Sequence, residues 1–161
     1  VVTYVKGDAT KPIGGGKKII AHIVNDEGLW GAGFVLALDK MSPEPKRIYR
    51  HWHNYWTKGG SSLFFTFIPL GTVQWAKVDE DTYVANMVAQ HRTIRSVDKP
   101  ICYKSLEVSL ETVADFALKH GATVHMPRIG AGLAGGNWEV IESIINRTLT
   151  LQEVDVVVYD L

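Results

Sequence analysis

At 161 residues with 46% hydrophobic content, the chain suits one well-filled core and is short for two, so a single domain over 1–161 is expected. Lys plus Arg and Asp plus Glu stand at 17 each, which removes any global electrostatic drive toward nucleic acid or membranes, and no apolar run approaches a membrane span. The single cysteine, Cys102, excludes an internal disulfide, and a cytoplasmic monomer is expected.

Val2 to Lys6 reads as a short strand that stops at Gly7-Asp8. After the glycine tract 14–16, the run Lys18 to Val24 has the length and β-branching of a strand buried on both faces. A Gly-rich loop, Asn25 to Gly33, leads into a short helix from Phe34 to Leu38 that ends near Ser42-Pro43. From Pro43 to Thr57 an amphipathic helix is expected, with Ile48, Trp52, Tyr55 and Trp56 as its inner stripe and Lys46, Arg47 and Arg50 on the other side. His51 and His53 lie two apart and do not share a helix face, so they make a poor metal pair; no metal or other cofactor is expected.

Gly59 to Ser62 reads as a loop, and Leu63 to Leu70 stays ambiguous because Pro69 interrupts a strand-like run. Thr72 to Val78 and Thr82 to Ala89 form an antiparallel hairpin around the acidic turn 79–81, followed at Gln90-His91-Arg92 by a polar loop that carries Arg95 and Lys99. Leu106, Leu110, Val113, Ala114, Ala117 and Leu118 mark a helix over Tyr103 to His120, capped by Gly121. Thr123 to Met126 is a strand, and it feeds the second Gly-rich stretch, Pro127 to Trp138. Asn137 is the N-cap of a last helix, with Glu139 and Glu142 near its start and Val140, Ile141, Ile144, Ile145 and Leu149 turned inward. Val154 to Tyr159 closes the chain as a strand.

Strands alternating with helices predict an α/β fold with a mostly parallel sheet covered on both faces, and ligands then bind at the carboxyl ends of the strands. Two Gly-rich loops, each entering a helix, suit a ligand with more than one phosphate, because exposed turn amides attract anions. Neither loop is a P-loop, since no Gly-Lys-Ser/Thr follows the glycines. Gly130, Gly132 and Gly135 have the dinucleotide spacing without the acidic residue that should follow, which argues against a dehydrogenase.

Lys6-Gly-Asp-Ala-Thr10, Asn25 to Gly33 with its Trp-Gly-Ala-Gly end, Pro127 to Leu133 and the terminal Val-Tyr-Asp-Leu161 together resemble a macro domain over essentially the whole chain. The likeness is nearest to the branch that holds the terminal ADP-ribose protein glycohydrolase and the yeast ADP-ribose-1''-phosphate phosphatase. It implies a three-layer α/β/α sandwich with a mixed, mostly parallel six-stranded sheet and ADP-ribose or an ADP-ribosylated substrate as partner. By that resemblance Asp8, beside Ala9, accepts from the adenine amino group. Asn25 meets the distal ribose, and Gly28, Trp30, Gly31, Ala32, Gly33 and Phe34 meet the diphosphate and ribose. Arg128, Ile129, Gly130, Ala131, Gly132, Leu133 and Ala134 form the phosphate loop, and Gln90 reaches the same crevice.

The lysine and aspartate of the glycohydrolase pair are replaced here by Gln90 or His91 and by Ala134, so no amine is placed for a Schiff base. Asn25, Asp26 and His91 remain as candidates for catalysis, Asp26 as a base for water, alongside Glu27. Several of these residues also have plain structural readings. Asp8 caps a turn before Thr10, Trp30 packs its loop onto the sheet, Arg128 anchors its own loop, and His22 is a satisfied core histidine. Three functions follow: an ADP-ribose-binding domain that hydrolyses ADP-ribosyl esters or ADP-ribose-1''-phosphate, a non-catalytic ADP-ribose reader, and, more weakly, an RNA or nucleotide-binding module using Arg47, Arg50, Arg92 and Arg95.

Overall fold

The computed structural model describes residues 2–59 and 65–161, and their centre is the apolar strand β2 (Lys18–Asn25). The other strands are β1 (Val2–Lys6), β3 (Val73–Lys77), β4 (Thr82–Gln90), β5 (Thr123–Met126) and β6 (Val156–Asp160). They form one six-stranded sheet in the order β1-β6-β5-β2-β4-β3, parallel throughout except that β3 runs against β4. The helices are α1 (Phe34–Met41), α2 (Glu44–Thr57), α3 (Tyr103–His120) and α4 (Trp138–Thr148), with a 3₁₀ turn at Thr150–Gln152. Among the described residues no helix is long and apolar enough to cross a membrane.

Side chains alternate across the sheet, and this splits the core in two. Ile19 and Ala21 of β2 join Leu106, Leu110, Ile141 and Ile145 of α3 and α4, while Ile20 and Val24 join Leu38 and Tyr49 of α1 and α2. The sandwich therefore has three layers, as expected. Each fully buried aliphatic side chain contributes about 1.5–3 kcal/mol relative to its exposed state. Local signals set the ends of the elements: Gly121 takes the left-handed conformation with φ 62° after α3, and Asn137 accepts from the Glu139 amide at the start of α4. In the hairpin turn Asp79 accepts from the Asp81 amide.

Three expectations need correction. The buried residues of α2 are Pro45 and Tyr49; Ile48 and Trp56 pack only partly, and Trp52 and Tyr55 run edge-to-face along a half-buried flank. The buried stripe is thus rotated by one residue, because the Tyr49 hydroxyl finds partners inside the fold and the indoles do not need to enter. Val140 is 40% exposed, one helical step away from the inward face of Ile141, Ile144 and Ile145. The last strand begins at Val156, because Val154 is still in the turn that bonds back to Leu149. Of the loop expected at Gly59 to Ser62 and the ambiguous Leu63 to Leu70, residues 60–64 lie outside the described residues, and 65–70 form no strand.

Because five strands run the same way, the turns after Lys6, Asn25, Gln90, Met126 and Asp160 share one edge of the sheet. The β2–β4 ladder slips there: Val24 pairs with Val88, but Asn25 pairs with Gln90. Such a bulge re-aims the side chain at the end of a strand.

Candidate functional site

At that edge lies a cavity of about 580 Å³, within the range of small-molecule sites. Its two main walls are the loop after β2 and the loop after β5. Of the residues expected to bind ligand, Asn25, Trp30, Gly31, Ala32, Gly33, Phe34, Gln90, Arg128, Ile129, Gly130, Gly132, Leu133 and Ala134 line it.

Asn25 organises the first wall. Its Oδ1 accepts from the amides of Glu27 (3.0 Å) and Leu29 (3.1 Å) and lies 2.8 Å from the Tyr49 hydroxyl, while Nδ2 donates to the Leu29 carbonyl at 2.6 Å. The second Nδ2 hydrogen makes no hydrogen bond among the described residues. Burial pushes the Tyr49 phenol up, so it remains a neutral donor and receives the Gly28 amide at 3.1 Å. Trp30 is turned inward, its Nε1 donating to Asp39 at 3.0 Å and its ring resting on Tyr49 and His22. It is a wall of the cavity and packs its loop onto the sheet.

The second wall is tightly built behind and open in front. Gly130 has φ 71° and an added Cβ would overlap the Ile101 Cδ1 methyl, so it is glycine for packing. Gly132, like Gly31 opposite, has open space where a Cβ would stand, so the fold itself leaves room there. Among the described residues the amides of Gly31, Ala32 and Gly33 and those of Gly132, Leu133 and Ala134 donate to no protein acceptor. Two sets of unsatisfied N–H groups thus border one cavity, a strong arrangement for an anion with two charged groups. Among the described residues no aspartate, glutamate or lysine lines the cavity, and the ionisable groups on its wall are His22, Arg95 and Arg128. Arg128 is already paired with Asp160 through two bonds of 2.7 and 3.1 Å and stacked against Tyr4 and Trp138, which makes it an anchor for its loop. That pairing holds the Asp160 carboxyl below its ordinary value.

Other expected residues stand elsewhere. Asp26 is 2% exposed and off the cavity wall, with Oδ2 2.7 Å from His91 Nδ1 and Oδ1 accepting from the Arg92 amide at 2.8 Å. Both oxygens are engaged in tying the β2 loop to the end of β4, so Asp26 is not placed to activate a water for a ligand in this cavity. His91, its partner, also lies off the wall, and Glu27 faces Arg92 at 3.6 Å. Asp8 accepts from the Thr10 amide (2.8 Å) and hydroxyl (2.7 Å), chiefly the latter lowering its pKa; it caps the turn and does not line the cavity. Buried Ala9, Gly28 and Ala131 are off the wall as well; Gly28 is glycine because a Cβ would meet the His53 ring at 2.7 Å.

Sequence reasoning passed over His22, Thr93, Ile94 and Arg95 as wall residues. The signal for the last three was available, since their loop follows a strand whose carboxyl end shares the ligand edge. Gln90 begins that loop and donates from Nε2 to the Arg92 carbonyl at 2.9 Å.

No protein-family model matches the chain. It is 34% identical over 161 residues to chromodomain-helicase-DNA-binding protein 1-like of Mus musculus, an alignment covering 98% of this chain and 17% of that protein, so it spans under a fifth of that relative's length. It is 30% identical over 156 residues to an ADP-ribose 1''-phosphate phosphatase of Candida albicans, covering 90% of this chain and 92% of that one. Among solved structures, a macrodomain protein from Streptomyces coelicolor matches with TM-score 0.85 and 42% identity over 100% of this chain and 99% of the other. With fold, loop order and whole-length identity in agreement, the chain belongs to the macrodomain family.

Proposed function

We propose that this domain binds ADP-ribose or a close derivative between its two Gly-rich loops. The observation that carries the reading is the pair of unsatisfied amide sets, 31–33 and 132–134, bordering one cavity on whose wall, among the described residues, no carboxylate stands. A diphosphate satisfies both sets at once, and a neutral-to-cationic wall does not repel it. By resemblance Asp8, Ala9, Gly28 and Ala131 belong to the same ligand's outer contacts, which a local shift of their loops would bring in. We read the unit as one domain over 1–161, acting as a monomer in the reducing cytoplasm without nucleic acid or membrane.

Turnover is the second reading, favoured by the likeness to the Candida albicans ADP-ribose 1''-phosphate phosphatase. Against it stands the chemistry: among the described residues the cavity wall offers no carboxylate and no lysine, and Asp26 and His91 are engaged with each other.

Calorimetry with ADP-ribose and with a single-stranded oligonucleotide tests the binding reading. Heat with ADP-ribose alone supports it, whereas binding of the oligonucleotide alone overturns it. Incubation with ADP-ribosylated protein and with ADP-ribose-1''-phosphate then separates reader from hydrolase by release of free ADP-ribose or phosphate.

A further inference from the structure

His22, on the cavity wall, carries a ring nitrogen that binding through the two loops leaves unused. His22 is 2% exposed, and its imidazole meets the Trp30 and Phe34 rings at centroid separations of 5.7 and 5.8 Å. All three side chains line the cavity. Nε2 of His22 lies 2.5 Å from Asn86 Oδ1. The sense of that bond is set from the far side, because Asn86 Nδ2 donates to the Pro45 carbonyl at 3.0 Å and reaches Gln74 Oε1 at 3.4 Å. The Asn86 atom facing His22 is therefore the oxygen, which only accepts. Nε2 must carry the proton, and Nδ1 is left as a lone pair.

That lone pair is buried and has no hydrogen-bond partner among the described residues. Native folds rarely leave a desolvated acceptor unpaired, and where they do, a role for the group is a fair question. The neighbours differ in how firmly they are held. Trp30 is tied to Asp39, while Phe34, half-buried at the first position of α1, makes no such bond. His22 and Phe34 both line the cavity, and the Phe34 ring is the less firmly held neighbour of the imidazole.

The place in the sheet says which part of a ligand arrives there. His22 lies on β2, paired with Asn86 and three residues before Asn25, and β6 and β5 stand between β2 and the edge strand β1 that leads into Asp8. In the ADP-ribose reading, which by resemblance puts the adenosine group toward Asp8, the other end of the molecule lies over β2. Resting on the ADP-ribose reading, we propose that His22 is a specificity determinant, its Nδ1 accepting a hydrogen bond from a hydroxyl of the second ribose. Asn86 is the positioning residue that keeps the imidazole in the acceptor tautomer. The cavity thus distinguishes ADP-ribose from ADP by a buried acceptor as well as by its volume.

The test is nitrogen-15 NMR of the protein labelled at histidine, with His22 assigned from the spectrum of His22→Gln. In the free protein Nε2 gives a protonated and Nδ1 an unprotonated ring signal. Saturating ADP-ribose moves the Nδ1 signal toward the protonated position, and saturating ADP leaves it in place. In Asn86→Asp the added carboxylate draws a second proton onto the imidazole, so the Nδ1 signal is already protonated in the free protein and ADP-ribose no longer moves it toward that position. The opposite tautomer, a silent Nδ1 with ADP-ribose bound, or an equal response to ADP each overturns the proposal while the binding reading stands. Failure of ADP-ribose to bind the wild type overturns both. If Asn86→Asp does not fold, the labelled wild type decides alone.

Discussion

The Tyr49 hydroxyl lies 2.7 Å from the backbone oxygen of Asn25 and 2.8 Å from its side-chain oxygen, joining the middle of α2 to the end of β2. It also receives the Gly28 amide. One phenol therefore holds the loop that forms the first wall of the cavity, from a helix whose basic face points away.

Tyr49→Phe removes that hydroxyl with almost no change in volume, leaving the Gly28 amide without its acceptor. Unfolding in urea is expected to show a loss of about 1–3 kcal/mol, the usual cost of an unpaired buried polar group. ADP-ribose affinity falls with it, because the loop loses its anchor. An unchanged affinity would mean that the loop's shape is set without Tyr49.

Gly132→Glu and Gly130→Ala separate ligand space from packing. At Gly132 an added Cβ meets nothing within 4 Å, so the fold survives while a carboxylate enters the anion site and binding is lost. At Gly130 even a methyl overlaps Ile101 at a left-handed φ of 71°, so stability falls by roughly 1–3 kcal/mol. Thermal melts combined with calorimetry check both, and a Gly132→Glu protein that binds normally would refute the placement of the anion.

Asp26→Asn tests the carboxylate that the sequence offered as a candidate base. Its partners are His91 and the Arg92 amide, so the expected result is lower stability, on the order of 1–3 kcal/mol, with ADP-ribose binding retained. Complete loss of a measured hydrolysis with stability intact would restore Asp26 to catalysis.

Acid should weaken the fold through two buried histidines. Burial lowers His22 to about 4, and burial with a smaller contribution from Lys18 lowers His125 to about 4, against 6.5 for the free side chain. The unfolded chain then takes up protons before the folded one. The stability from keeping these rings neutral is full above pH about 6.5 and is lost as the pH falls toward about 4, on the order of 3 kcal/mol for each. Urea midpoints at stepped pH values measure the slope, and His125→Asn should flatten it. A midpoint that does not move between pH 7 and 4.5 would contradict this.

Much of the architecture was legible because it is written in local chemistry. The continuous apolar run of β2, the i, i+4, i+7 spacing of α3, the Asn137 cap and the Gly121 stop each determine an element from a few neighbouring residues. The order of loop motifs was enough to indicate the family. Sequence by itself thus determined which segments become strands and helices and which two Gly-rich loops enter helices at the carboxyl edge of the sheet.

Only the tertiary structure decided which side chains within those loops face the cavity. Asn25, Asp26 and Glu27 are consecutive and equally polar, yet one lines the cavity and the other two are drawn toward His91 and Arg92. Gly28 and Gly31 look alike in sequence, but His53 occupies the space beside the first and nothing fills the space beside the second. His22 passes for an ordinary core residue until Asn86, 64 positions later, fixes its tautomer and leaves Nδ1 unpaired. In each case the deciding partner is far away in the chain, and a loop side chain takes its direction from such packing and hydrogen bonds, which local propensity does not encode.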